Sequence, residues 1–244
     1  MNGFAQTLLI PDWPAPASVQ ACVTTRAGGV STAPYDSLNL GDHVGDTPEA
    51  VATNRSRLTE HFNIQPAWLS QVHGVVVAQA DPAHTAEADA SWTATPGIAC
   101  TVMTADCLPA LFCNRAGTRV AAAHAGWRGL ANGVLEATVE GLAVAPEDIL
   151  VWLGPAIGPR NFEVGAEVRE AFVGWHRQAA EAFVPGAMPG KYLADIYQLA
   201  RVRLAAVGVT AVYGGGLCTF DDTRFFSYRR ANPTGRLASL VWLR

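Results

Sequence analysis

No block of lysine or arginine occurs anywhere in the 244 residues; 17 basic residues are scattered among 21 acidic ones, for a formal charge of −4. Nucleic-acid binding needs a basic stripe or patch, so no nucleic-acid partner is expected and a small-molecule substrate is. No apolar run approaches the ~18 residues of a membrane span. The opening stretch MNGFAQTLLIPDWPAP has no basic start and too short an apolar run for a secretory signal. No membrane partner is expected, and the expected location is the cytoplasm. Cysteine is sparse: Cys22, Cys100, Cys107, Cys113 and Cys218 are odd in number and contain no C-x-x-C pair. That argues against a disulfide framework and against a zinc ribbon.

What is present is apolar. Half the residues are hydrophobic, enough for a sizeable core. SVQACVTT reads as a strand, and the loop Arg26–Asp46 that follows is dense in Gly, Ser, Asn and Asp. Thr47 as cap, Pro48 at the first position and Glu49 in the first turn predict a helix over Pro48–Phe62. AWLSQVHG and VVVAQA read as strands hinged at Gly74. GIACTVMTA and TRVAAAHAG read as strands of one sheet, with a turn at Asn114–Gly117 before the second. Apolar spacing predicts helices over Arg128–Leu142 and Val164–Trp175, and another in LADIYQLARVRLAAVG, ended by Gly208. EDILVWLGPAIG and the terminal GRLASLVWLR read as strands. The mixture, without a strict βαβ rhythm or repeat, predicts one α/β domain over residues 1–244 with mixed sheets.

Three chemistry-bearing residues fall at predicted element edges: His73 before Gly74, Cys107 after Asp106, and His124 at the end of VAAAHAGW. Two imidazoles and a thiolate form a three-ligand set that leaves zinc's fourth position open. Their separations of 34 and 17 residues match no short-range metal signature. The same residues also read as a Cys107/His124 nucleophile and base pair. A third reading is a copper site, with Met103 as axial ligand if its strand continues to Cys107. Taken singly, Cys107 has the surroundings of a core residue, as Cys113 does, and each histidine those of a hydrogen-bonded structural group. In the long loop Arg26, Ser31 and Asn39 suit a phosphate or ribose, or else simply order the loop through Asx and Gly turns. Arg128 opens a helix, where free amides and a guanidinium suit an anion. Trp127 and Trp152 read as core.

Taken together, TTRAGGVS, SLNLGDHVGD, QVHG, EADA, TADCLPALF, AAHAGWRGL, LGPAIGP and CTFDDTRFFSYRR with GR after it resemble, in order and over nearly the whole chain, the YfiH family of laccase-domain proteins. The resemblance implies a layered α/β/β/α fold, akin to the deamidase domain of cytotoxic necrotizing factor toxins. It implies a metal, normally taken as zinc, on His73, Cys107 and His124. The activity implied is phosphorolysis of the purine nucleosides adenosine, inosine and methylthioadenosine, with adenosine deamination. Family members have also been called copper-dependent polyphenol oxidases, and bacterial ones have been linked to editing of peptidoglycan precursors. After EADA this chain has SWTATPG in place of the family's usual apolar continuation, a departure expected to touch packing near the cleft.

In the leading hypothesis zinc activates water, whose pKa it can bring to ~7, or orients phosphate. Arg26 or Arg128 would offset phosphate charge, and Asn39 would contact ribose or phosphate. Asp106 would shuttle a proton or orient a ligand as hydrogen-bond acceptor. The rival is a cysteine hydrolase in which Cys107 attacks and His124 is its base.

Overall fold

The computed structural model describes residues 4–244. Two mixed sheets form its centre. The five-stranded sheet runs Leu8–Leu9, Val19–Thr24, Leu237–Leu243, Ile98–Thr104, Gln65–Ala67. The six-stranded sheet runs Val212–Gly214, Ile149–Leu153, Leu108–Asn114, Val120–Ala125, Ala90–Thr93, Val77–Gln79. Most neighbours are antiparallel; parallel pairing occurs at the sheet edges, where Gln65 meets Ile98, Val212 meets Val151 and Val77 meets Ala90.

The layering follows from the period-two alternation of strand side chains. Leu111, Cys113, Val120 and Ala122 of the six-stranded sheet meet Cys100, Val102 and Val241 of the other, forming the core between the sheets. On the opposite face, Ala110, Phe112, Ala121 and Ala123 pack against Leu130, Val134, Leu135 and Leu142. The helices on this side are Trp127–Asn132, Val134–Leu142, Ala166–Trp175 and Ile196–Ala206. Cys22, Leu240 and Trp242 turn the other way, toward Leu58 and Ile64 around the helix Pro48–Phe62. The order is helix, sheet, sheet, helices, as the resemblance implied. No helix among the described residues is long and apolar enough to cross a membrane.

Several sequence expectations need correction. Ile98–Thr104 and Val120–Ala125 lie in different sheets and face each other across the central core. Both are covered on both faces, and such strands read as continuous apolar runs without an alternation that would reveal their sheet. The helix expected over 128–142 is two helices, broken at Gly133, whose φ of 102° is a left-handed cap. Residues 163–165 form a strand before the helix Ala166–Trp175. Asp195 caps the helix Ile196–Ala206 by accepting the N–H groups of Tyr197 and Gln198 at 2.9 and 3.0 Å.

The long loop has no regular element between Thr24 and Pro48, yet it is held by a buried polar network. Asn54, fully buried on its helix, accepts from Val30 N and donates to Ser31 Oγ, Ser37 O and Asn39 O. Asp46 accepts from Ser31 Oγ at 2.6 Å and from Asn39 Nδ2 at 2.9 Å. Asn54→Ala would leave several buried loop groups without partners. It is expected to destabilise the protein by about 2–3 kcal/mol, read from a shifted urea midpoint at unchanged slope.

Candidate metal centre

The strand Ile98–Thr104 ends short of Cys107. Residues 105–107 bend from the first sheet into Leu108–Asn114 of the second, with Asp106 at φ 84°. Cys107 therefore sits at the crossover between the two sheets. The neighbouring strand pairs His124 with Pro109, which carries the imidazole to the same end. His73 arrives from a separate turn at φ 61°, after the two-residue strand Leu69–Ser70. The Gln71 amide ties that turn to the first sheet: its Nε2 donates to Met103 O at 2.8 Å and its Oε1 accepts from Met103 N at 2.7 Å.

The nitrogen and sulfur ligand atoms of His73, Cys107 and His124 all lie within 4.8 Å of one another. Cys107 Sγ is 3.7 Å from His73 Nε2, and the two imidazoles meet edge to face at 4.7 Å. His124 is buried, Cys107 half-buried and His73 exposed, so the cluster opens toward solvent on one side. Gly126 makes room for it: a Cβ there would stand 2.6 Å from His73 Cδ2 and 3.0 Å from Cys107 Sγ.

The organiser is Asp89, which is fully buried. Its carboxylate accepts His124 Nδ1–H at 2.8 Å and the backbone N–H groups of Val72, His73 and Gly74 at 3.2, 2.9 and 2.6 Å. Burial alone would raise its pKa; the His124 and backbone hydrogen bonds prevail and hold the carboxyl below its ordinary range. With Nδ1 committed to Asp89, His124 presents Nε2 toward Cys107, the arrangement in which a metal-ligating histidine is held by an outer carboxylate. Two imidazole nitrogens and one thiolate suit zinc, and also copper.

Burial pushes the Cys107 thiol up, but the charge of His124 and hydrogen bonds from His124 and His73 bring it down to about 6. Burial lowers His124, but the Cys107 charge and the Asp89 hydrogen bond raise it to about 9. Between those values the pair is thiolate and imidazolium.

Not every predicted site residue reaches this place. Arg128 and Asp106 line the same cavity of about 450 Å³ as His73, Cys107 and His124. Asp106 makes no bond to His73, Cys107 or His124: its Oδ1 accepts from Thr219 Oγ1 and its Oδ2 from Arg229 N, both at 2.6 Å. Arg26 is paired with Asp36 at 2.9 Å and does not line the cavity. Asn39 is fully buried and bonded to Gly41, Asp46 and Arg236 N. Met103 lines the cavity, but its strand stops at Thr104, so it shares no strand face with Cys107. Its Sδ lies 3.7 Å from Arg55 Nη2. The departure SWTATPG stays clear of the cavity lining.

Residues 20–244 match a family model described as multi-copper polyphenol oxidoreductase laccase. A Pseudomonas aeruginosa protein named purine nucleoside phosphorylase is 70% identical over 236 residues, spanning 96% of this chain and 98% of its own length. The Escherichia coli purine nucleoside phosphorylase YfiH is 59% identical over 241 residues, spanning 97% and 98%. A crystal structure of a Neisseria meningitidis protein superposes with TM-score 0.95 at 53% identity, covering 97% of this chain and 99% of that one. YlmD from Geobacillus stearothermophilus superposes with TM-score 0.90 at 31% identity, covering 98% and 97%.

Metal binding needs the thiolate and a neutral His124. Near pH 7.5, the Cys107/His124 pair is therefore expected to contribute about one released proton to zinc binding, from His124, rising toward two below pH 6 and falling toward none above pH 9. Titration calorimetry in buffers of different ionisation enthalpy measures this directly.

Proposed function

The chain belongs to the YfiH family of laccase-domain proteins, and from that premise we propose that it is a zinc-dependent purine nucleoside phosphorylase. Its substrates would be adenosine, inosine and S-methyl-5′-thioadenosine, with adenosine deamination as a second activity. The observation that carries the reading is the convergence of His73, Cys107 and His124 in the lining of a cavity whose volume lies in the range of small-molecule sites. The names of the relatives supply the substrate class.

When bound, zinc supplies Lewis acidity at the position that three protein ligands leave open. The chain's own residues do the rest. Met103, Trp127, Ile157 and Phe162 give the cavity an apolar wall for a purine. Arg128, exposed and stacked 4.4 Å over Trp127, brings a cation to the same space, where it offsets phosphate charge. In phosphorolysis a phosphate oxygen bonds to C1′ while the C1′–N9 bond breaks and the base leaves with its electron pair. In deamination water adds at C6 and ammonia leaves. Asp106 holds the bend that carries Cys107. Residues 1–244 act as one domain, with zinc rather than copper as the working metal.

One further observation favours a second reading. Asp89, His124 and Cys107 lie in the order of an acid, base and nucleophile, and the thiol is already lowered to about 6. On this reading Cys107 attacks covalently and the protein is a cysteine-type hydrolase.

Metal-quantified protein incubated with adenosine or inosine, with and without phosphate, separates the two. The expected outcome is phosphate-dependent release of free base and ribose 1-phosphate, abolished in Cys107→Ala and restored to stripped wild type by zinc. Full phosphate-dependent activity in metal-free protein would overturn the zinc dependence, and a trapped adduct on Cys107 without phosphate-dependent base release would establish the hydrolase reading instead.

A further inference from the structure

Three arginines line the cavity beside the metal cluster, Arg128, Arg229 and Arg236, and among the described residues none of them forms an ion pair. Other arginines do pair: Arg26 with Asp36, Arg55 with Asp42, Arg160 with Asp221, Arg203 with Glu136 and Arg224 with Asp222. The one carboxylate lining the cavity, Asp106, spends its oxygens on Thr219 and on the main chain of Arg229. Guanidinium groups collected in one cavity without carboxylates to neutralise them call for an anionic ligand.

Both of the arginines that sequence reasoning did not single out are held by residues that it did. Asp106 accepts the N–H of Arg229, and Asn39 Oδ1 accepts the N–H of Arg236 at 2.8 Å. Gly41 leaves space for the Arg236 stem, because a Cβ there would stand 2.7 Å from Arg236 Cγ. Arg236 Nη1 rests on the carbonyls of Thr234 and Gly235 at 3.1 Å, while Nε and Nη2 have no partner among the described residues. Arg229 Nη1 makes only long contacts, 3.4 and 3.3 Å, to Asn161 O and Glu163 O. The Thr104 hydroxyl, buried beside the same cavity, also lacks a partner.

We propose that Arg229 and Arg236, together with Arg128, form an oxyanion subsite for a phosphate group beside the Cys107 cluster, with Asp106 as the positioning residue for Arg229. In the phosphorolysis reading this subsite takes the attacking inorganic phosphate, and to that extent it rests on that reading. The same chemistry would also accept the phosphate ester of a nucleotide. The long loop then contributes indirectly: its Asn39 and Gly41 seat Arg236, while Arg26 stays with Asp36.

The test is calorimetric titration of the zinc-loaded protein with inorganic phosphate and, separately, with a nucleoside 5′-monophosphate, alongside the Michaelis constants for phosphate and inosine. Arg229→Gln and Arg236→Gln are each expected to weaken phosphate binding about tenfold or more. The Michaelis constant for phosphate should rise in step while that for inosine moves little. Arg177→Gln, an exposed arginine outside the cavity, should leave both unchanged. Asp106→Ala should lose phosphate affinity, and Asp106→Asn, which keeps an acceptor for the Arg229 N–H, should retain most of it. Ester binding that is lost in the same arginine variants, without binding of free phosphate, supports the subsite and identifies the ester as its ligand. Phosphate binding without base release leaves the subsite standing and removes the phosphorylase reading. Base release with an unchanged phosphate constant in both glutamine variants overturns the subsite and leaves that reading intact; a wild type that binds neither anion overturns the subsite and counts against that reading as well.

Discussion

The buried carboxylate of Asp89 gathers four N–H donors from two places: the turn at Val72–Gly74 and the imidazole of His124. A carboxylate fully removed from water is costly unless its lone pairs are used, and here the donors that satisfy it are the ones that carry His73 and His124, two of the three candidate ligands. His73 stands in the left-handed region, a conformation few side chains hold without support, and its own N–H is one of the four. The strand register adds the rest: Ala123 pairs with Ala90, so Asp89 falls beside His124, whose N–H also bonds to Asp89 O at 2.7 Å. One side chain therefore couples the sheet register to the position of His73 and to the tautomer of His124.

The third member of the cluster depends on a different constraint. Cys107 lies where the chain leaves one sheet for the other, and Asp106 makes the reversal with a left-handed backbone. Its carboxylate then gathers Thr219 and Arg229 from the C-terminal segment, so the bend that presents the thiolate also carries a cation to the cavity. The electrostatics divide the space. Near the cluster, thiolate and imidazolium balance each other; on the remaining walls unpaired guanidinium groups stand beside apolar side chains. That division suits a ligand set with an uncharged ring and an anion.

Much of this was legible in the sequence wherever the signal was local. Thr47, Pro48 and Glu49 marked a helix start, and the helix runs Pro48–Phe62 as expected. The break at Gly133 was not, because one glycine is tolerated inside a helical pattern and its backbone angle has no trace in the periodicity. The layered α/β/β/α order came from the family resemblance rather than from pattern, since the central strands are apolar on both faces. The cluster His73, Cys107 and His124 was visible only through its three motifs together. Asp89 stood in the quoted EADA stretch without an assigned role: no spacing rule reveals which carboxylate will face a histidine 35 residues on. Arg229 and Arg236 stand in the quoted CTFDDTRFFSYRR and GR stretches without an assigned role for the same reason, whereas Arg26 and Asn39, prominent in a polar loop, serve the loop's own order and the seating of Arg236.

The central claim is that Asp89 organises the candidate metal cluster from outside it. Zinc affinity measured by competition with a chelator, in wild type and in Asp89→Asn protein whose circular dichroism shows the fold retained, tests it most directly. The account predicts one zinc per chain in wild type and a loss of affinity of roughly 10–100-fold in the variant. Equal affinity in the two proteins would contradict it.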